Sequence, residues 1–162
     1  MPAAIDYLST YLQDHRAGAE MGVNLAQRLR DENGGTPYED FLTRLAREIE
    51  EDVLTLEETM AAFGVDKALF KTAGAKVGEV LGRLKPNEHL TEYSPLSRVQ
   101  ELEMLRAGVQ GKLALWDALN EISDTDDRLD PDGLGALIQR AESQLVGLRE
   151  QHRMAAREAF TA

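Results

Sequence analysis

The chain has 162 residues, 43% hydrophobic and only 6% aromatic, with a formal net charge of −11 and no cysteine. That length is enough for one domain with a real core, and the missing thiols exclude disulfides, thiolate zinc sites, iron–sulfur clusters and cysteine nucleophiles. The acidic balance opposes nucleic acid, whose phosphates reward clustered Lys and Arg, and it opposes anionic membrane surfaces.

No apolar run approaches the roughly 20 residues needed to span a bilayer. The opening stretch MPAAIDYLSTYL lacks the basic start and greasy segment of a secretory signal, so a cytoplasmic location is expected. The first predicted helix runs from about residue 4 to 32 and closes at Asn33-Gly34-Gly35, a helix-stop signal. Its apolar seats are Ile5, Leu8, Leu12, Ala19, Gly22, Ala26 and Leu29, and His15 occupies a seat that this spacing reserves for a core side chain. The second helix spans 37–63. Thr36 is its expected N-cap, Pro37 suits the first helical position and Glu39 completes a capping box. Its inward stripe reads Leu42, Leu45, Ile49, Asp52, Leu56, Met60 and Phe63, and Gly64 ends it.

A shorter third helix is expected over 66–85, capped by Asp66 and broken at Pro86. Phe70, Ala73, Val77, Leu81 and Leu84 form one face, while Gly74, Gly78 and Gly82 form a second stripe that suits close helix packing. That glycine spacing does not match a phosphate-binding loop. After a loop, Ser94-Pro95 opens a fourth helix over 95–122 with the stripe Val99, Leu102, Arg106, Val109, Leu113 and Trp116, the last a core anchor. An acidic loop then leads to Asp130-Pro131 and a fifth helix over 131–160. Its stripe is Leu134, Ile138, Ala141, Leu145, Leu148, His152, Ala155 and Ala159. Nothing reads as a strand pair, so the fold class is all-α.

Four of these helices have matched lengths of about 28 residues, about 42 Å at 1.5 Å per residue, and carry the seven-residue spacing of bundle packing. Short connections join the first and last pairs as antiparallel hairpins. A long connection, carrying the short helix, lies between them. In helix order, helix length and this crossover the chain resembles the ferritin-like superfamily over nearly its whole length, and small bacterial helical-bundle proteins of that plan. The resemblance implies a single domain over 1–162: a ferritin-like four-helix bundle, with two antiparallel hairpins joined by a crossover containing a short fifth helix.

Di-iron members of that superfamily build their site from inward carboxylates and two Glu-x-x-His motifs. Here the residues three places before His15, His89 and His152 are Leu12, Pro86 and Arg149, so no family ligand carries over. The expected function is therefore a non-catalytic bundle without cofactor that acts through protein–protein interaction, with another protein or with its own copies.

Counting along the helices from a shared end places His15, Asp52 and Lys112 at one level. Glu20 and Glu48 fall together about a turn and a half higher, near Arg106, and His152 falls higher again, near Glu103. His15 is thus expected to face Asp52 across the seam of the first two helices, inside an ionic network, because a buried charge needs a partner. Val53 could take the Asp52 seat instead. The alternative is an atypical metal site, in an oxidase or iron-handling protein, drawing on His15, Glu20, Glu48 and Asp52 with Glu103 or His152. Arg106 and Lys112 would repel a cation there.

Two weaker signals complete the reading. Arg128, Asp130, Asp132 and Gly133 imitate part of a calcium loop, but Arg128 stands where the first carboxylate belongs and Gln139 where the final glutamate belongs. Helix capping is therefore expected. Lys67, Lys71, Lys76, Arg83 and Lys85 make a basic patch that could meet the acidic 124–132 loop of another copy. No serine–histidine–acid set can be assembled.

Overall fold

A computed structural model of the chain describes residues 6–66 and 92–161. Asp6 caps the first helix by accepting the Ser9 backbone N–H at 3.1 Å, and α1 (Tyr7–Glu32) follows. At its end Gly35 takes φ +72, a left-handed conformation that a side chain would strain. The second helix starts two residues later than expected, as α2 (Glu39–Ala62), with Tyr38 rather than Thr36 at the cap position. Thr36 instead holds the preceding turn, its hydroxyl accepting from the Tyr38 N–H at 3.3 Å, while the Glu39 carboxylate accepts from the Gly35 N–H at 2.8 Å. Gly64, at φ +68, lets the chain leave α2.

Ser94 and Ser97 form a reciprocal capping box and Pro95 takes the first turn of α3 (Pro95–Ile122). A short 3₁₀ turn (Ser123–Thr125) follows, and Asp130 then caps α4 (Pro131–Phe160) by accepting from the Asp132 N–H. The described residues are helical with no strand, and none of their helices is long and apolar enough to cross a membrane. The expected 66–85 helix, its glycine stripe and its basic residues lie outside the described residues, Asp66 excepted.

Four pairs of helices pack: α1 on α2, α1 on α3, α3 on α4 and, more lightly, α2 on α4. Side-chain pairs give their directions. Arg16 meets Glu57 and Gln27 meets Glu50, so α1 and α2 are antiparallel. Arg98 meets Glu158 and His152 meets Glu103, so α3 and α4 are antiparallel. Leu12 packs in the same cluster as Trp116 and Leu119, while Leu29 shares a cluster with Val99 and Leu102, which makes α1 antiparallel to α3. Consequently α2 and α3 run the same way, and the end of α2 and the start of α3 lie at opposite ends of the bundle.

The apolar core comes in two parts. One holds Leu29, Leu42, Leu45, Ile49, Leu102, Leu105 and Leu148; the other holds Leu12, Leu56, Met60, Trp116, Leu119 and Leu134. The expected stripe of α2 is buried as read from Leu42 to Met60. Two others shift. Arg106 is exposed and Leu105 takes its seat; in α4, Leu137 and Gln144 are buried where Ile138 and Leu145 were expected.

Asn33, fully buried beyond α1, locks the start of α3 to this frame. Its amide donates to the Leu29 carbonyl at 2.7 Å and meets the Tyr93 hydroxyl at 3.0 Å, and its Oδ1 accepts from Arg98 Nε at 2.6 Å. Arg98 also lies over the Tyr38 ring at 4.5 Å. Burial pushes the Tyr93 phenol up to about 12, which keeps it protonated at neutral pH. Asn33→Ala removes all three bonds and strands a charged donor, so it should lower stability by about 2–3 kcal/mol. Urea denaturation checks this: the midpoint should fall at an unchanged slope.

Candidate functional site

Between the two parts of the core lies a layer of charge. Asp52 projects inward from α2 with its side chain 4% exposed, and Lys112 reaches it from α3 with 15% exposed. The Lys112 ammonium donates to Asp52 Oδ2 at 2.5 Å and to Gln144 Oε1 at 2.5 Å. Gln144, on α4, passes the contact on by donating to Glu48 Oε2 at 3.0 Å. Arg140, one turn before Gln144, lies 3.4 Å from Asp52 Oδ1 and bonds Glu51 at 2.8 Å. Three carboxylates, two cations and one amide thus join α2, α3 and α4. Burial pushes the Lys112 pKa below the ordinary lysine value, and the Asp52 charge opposes that shift.

The sequence placed Asp52 and Lys112 in one layer correctly but gave Asp52 the wrong partner. No hydrogen bond or ion pair joins His15 to it. His15 packs its ring edge-on against Tyr11, with centroids 4.5 Å apart, and desolvation lowers its pKa while Asp14 pulls the other way. The lysine stem, longer than the imidazole, brings a permanent charge to the carboxylate and leaves His15 no role there. Gln144 was missed. A strict three-four alternation through Leu134, Leu137, Ala141, Gln144 and Leu148 was the signal that could have found it.

The remaining candidate ligands do not converge. Glu20 is two-thirds exposed and lies 3.8 Å from Arg16 on its own helix. Glu48 is held by Gln144, with Arg44 at 3.9 Å. Glu103 and His152 do meet, at 2.8 Å, but on the α3–α4 flank with Glu103 exposed. Among the described residues no three His, Asp or Glu side chains gather as a metal would need. The acidic loop is also engaged: Arg128 grips Asp126 through three bonds of 2.6–3.1 Å, holding that carboxyl down at about 2, and covers the Phe63 ring at 4.0 Å.

Beside the charged layer is a cavity of about 440 Å³, walled by α1, α2 and α3. His15 and Asp52 both face it, together with Lys112, Trp116 and the apolar Val53 and Leu56. Gly18 and Gly22 of α1 and Gly108 and Gly111 of α3 line it, and a Cβ added to any of the four would meet nothing within 4 Å. Gly147 of α4 is the contrast, because a Cβ there would strike the Phe41 ring at 2.2 Å. Trp116 is 1% exposed and its indole Nε1 has no hydrogen-bond partner.

No protein-family model, curated protein or solved structure matches the chain.

Two measurements check this electrostatic description. Lys112→Met leaves Asp52 buried with Arg140 alone and should cost about 3 kcal/mol, whereas Lys112→Met with Asp52→Leu should recover most of it. Denaturant titrations of the full cycle should show coupling of at least about 1 kcal/mol. For His15 the folded pKa lies below its unfolded value near 6.5. Below that value the unfolded chain binds the proton more readily, so stability is full above about 6.5 and is lost as pH falls through the folded pKa. The stability of the parent relative to His15→Leu should therefore drop between pH 7 and pH 5. A rise over that interval would indicate a charged, ion-paired imidazole.

Proposed function

We propose that this protein is a non-catalytic helical bundle of the ferritin-like plan that acts by binding, without the metal chemistry of the di-iron members. The plan is supported by the antiparallel neighbours and by the parallel run of α2 and α3, which requires one crossover. The observation that carries the functional reading is the position of Asp52 between Lys112 and Arg140. Where a di-iron bundle turns carboxylates toward cations, this chain supplies the cations from its own side chains. Such a layer sets register, and its central carboxylate, Asp52, already faces two cations, Lys112 and Arg140.

Binding, in place of catalysis, is supported by the glycines. Each glycine inside a helix weakens it by about 1 kcal/mol relative to alanine. Four of the seven glycines in the described helices line one cavity, and none of the four is required there by a neighbouring side chain or backbone. Space retained at that cost is consistent with an occupant. The association with a protein partner expected from the sequence becomes, on this geometry, occupancy of the α1–α3 seam.

Elemental analysis of protein purified without chelators tests the metal-free layer. Iron, manganese and zinc should be far below one equivalent after dialysis, and added iron(II) should oxidise in air at the rate of buffer alone. Near-stoichiometric metal retained through dialysis would overturn the reading.

A further inference from the structure

The cavity beside the charged layer is walled by three helices and its surface is predominantly apolar. One turn of α-helix, about 10 Å across and 5.4 Å long, would already fill its 440 Å³. A helix of a partner protein is therefore too large, while the volume falls in the range of small-molecule sites, about 300–1,000 Å³. A second, smaller pocket shares Gly18, Gly22, Leu105 and Gly108 with it and extends the space along the α1–α3 seam.

The polar groups around this space are mostly withdrawn from it or already engaged. The indole Nε1 of Trp116 and Oδ1 of Asp52 each have less than 1 Å² of accessible surface, so neither can be touched from the cavity. The Lys112 ammonium is turned to Asp52 and Gln144. Asp14 is exposed and keeps its water at the mouth. A charged ligand would therefore find no free counter-charge at depth. Tyr11 and His15 remain, packed edge-on against each other on α1. His15 lines the cavity partly buried, and no described residue hydrogen-bonds its ring nitrogens. Among these side chains, only an imidazole ordinarily changes charge between about pH 5 and 8.

We infer that the cavity binds an uncharged, predominantly apolar small molecule, and that His15 makes this binding pH-sensitive because an occupant and a proton on the imidazole exclude one another. This rests on the binding reading given above and adds the ligand class and its regulation. Solvent entering the open cavity can hydrate a charged imidazole. An apolar occupant removes that hydration and offers no hydrogen bond in return, which disfavours the charged ring. Asp52 of α2 and Lys112 of α3 face the same cavity but are bonded to each other. Asp14 favours the charged form from α1, yet desolvation already outweighs it before anything binds. By linkage, the ligand must weaken as pH falls through the imidazole's titration, to the same degree that it holds the proton off.

The probe is phenylnaphthylamine, a dye that is uncharged at pH 5 and pH 8 and brightens in apolar surroundings. Titrated into the full chain at pH 8, it should saturate at one site and quench Trp116, the sole tryptophan and part of the wall. Followed stepwise to pH 5, with circular dichroism reporting the folded fraction, its affinity should fall by at least about threefold. The His15 ring resonance, assigned by its loss in His15→Phe, should titrate at lower pH with the dye than without it. His15→Phe keeps a ring against Tyr11 but takes no proton, so its affinity should be equal at the two pH values. Gly111→Leu fills open space and raises helix propensity. Thermal unfolding should then not fall, while the dye binds at least about tenfold more weakly. Saturable binding that is equal at pH 5 and pH 8, or that stays pH-dependent in His15→Phe, would overturn the role of His15 and leave the binding reading standing. Tighter binding of the sulfonated analogue of the dye at pH 8 would overturn the uncharged class. Failure to saturate at pH 8, or binding untouched by Gly111→Leu, would remove the binding reading as well.

Discussion

Lys112 carries a positive charge into the middle of the bundle, where the loss of water costs several kcal/mol unless protein groups replace it. Those groups come from two other helices. Asp52 of α2 supplies the opposite charge, and Gln144 of α4 supplies a neutral acceptor. Each then needs its own partners, which brings in Arg140, Glu48 and Glu51. Satisfying one ammonium therefore fixes the axial register of α2, α3 and α4 together. An apolar layer at the same level would tolerate a slip of one turn; this layer would leave charges unpaired.

The same layer divides the core. Leucine-rich packing resumes on either side of it, with Leu42, Leu102 and Leu148 toward one end and Leu12, Met60 and Trp116 toward the other. Helix α1 contributes no ion pair to this layer; its own links to α2 and α3, Arg16 with Glu57 and Arg28 with Glu101, lie elsewhere along its length. At that height it presents His15, Gly18, Ala19 and Gly22, and the gap between these small residues and Gly108 and Gly111 of α3 is the cavity. The charged layer forms the polar floor of this glycine-lined opening. That floor is held in place by the ion pairs of Asp52 with Lys112 and Arg140.

Much of the candidate site was legible in the residues. Asp52 and Lys112 stand on the inward stripe or beside it, and counting from the bundle end put them at one height. What counting could not supply was the direction around each helix axis. His15 and Asp52 share a level and a cavity without meeting, because contact also needs matching azimuth and reach. The same limitation affected α3 and α4, where Arg106 and Leu105, or Leu145 and Gln144, are neighbours in sequence on adjoining faces about 100° apart at 3.6 residues per turn. A slip of one residue exchanged a solvent position for a buried one.

The sequence by itself determined the four long helices that the structure describes, because caps, prolines and glycines act within a few residues. Ser94-Pro95, Asp130-Pro131 and the glycines at 35 and 64 start or release helices where local chemistry requires it. It also determined that the described residues would be helical without a strand and that their inward stripe would carry charge. Only the tertiary structure decided which charges pair, since that depends on the relative rotation of helices separated by dozens of residues. It also separated the glycines with a packing reason from those without one. Gly147 accommodates Phe41, whereas Gly18, Gly22, Gly108 and Gly111 face open space. Glycine has no side chain to record what lies beside it, so that distinction exists only once the helices are assembled.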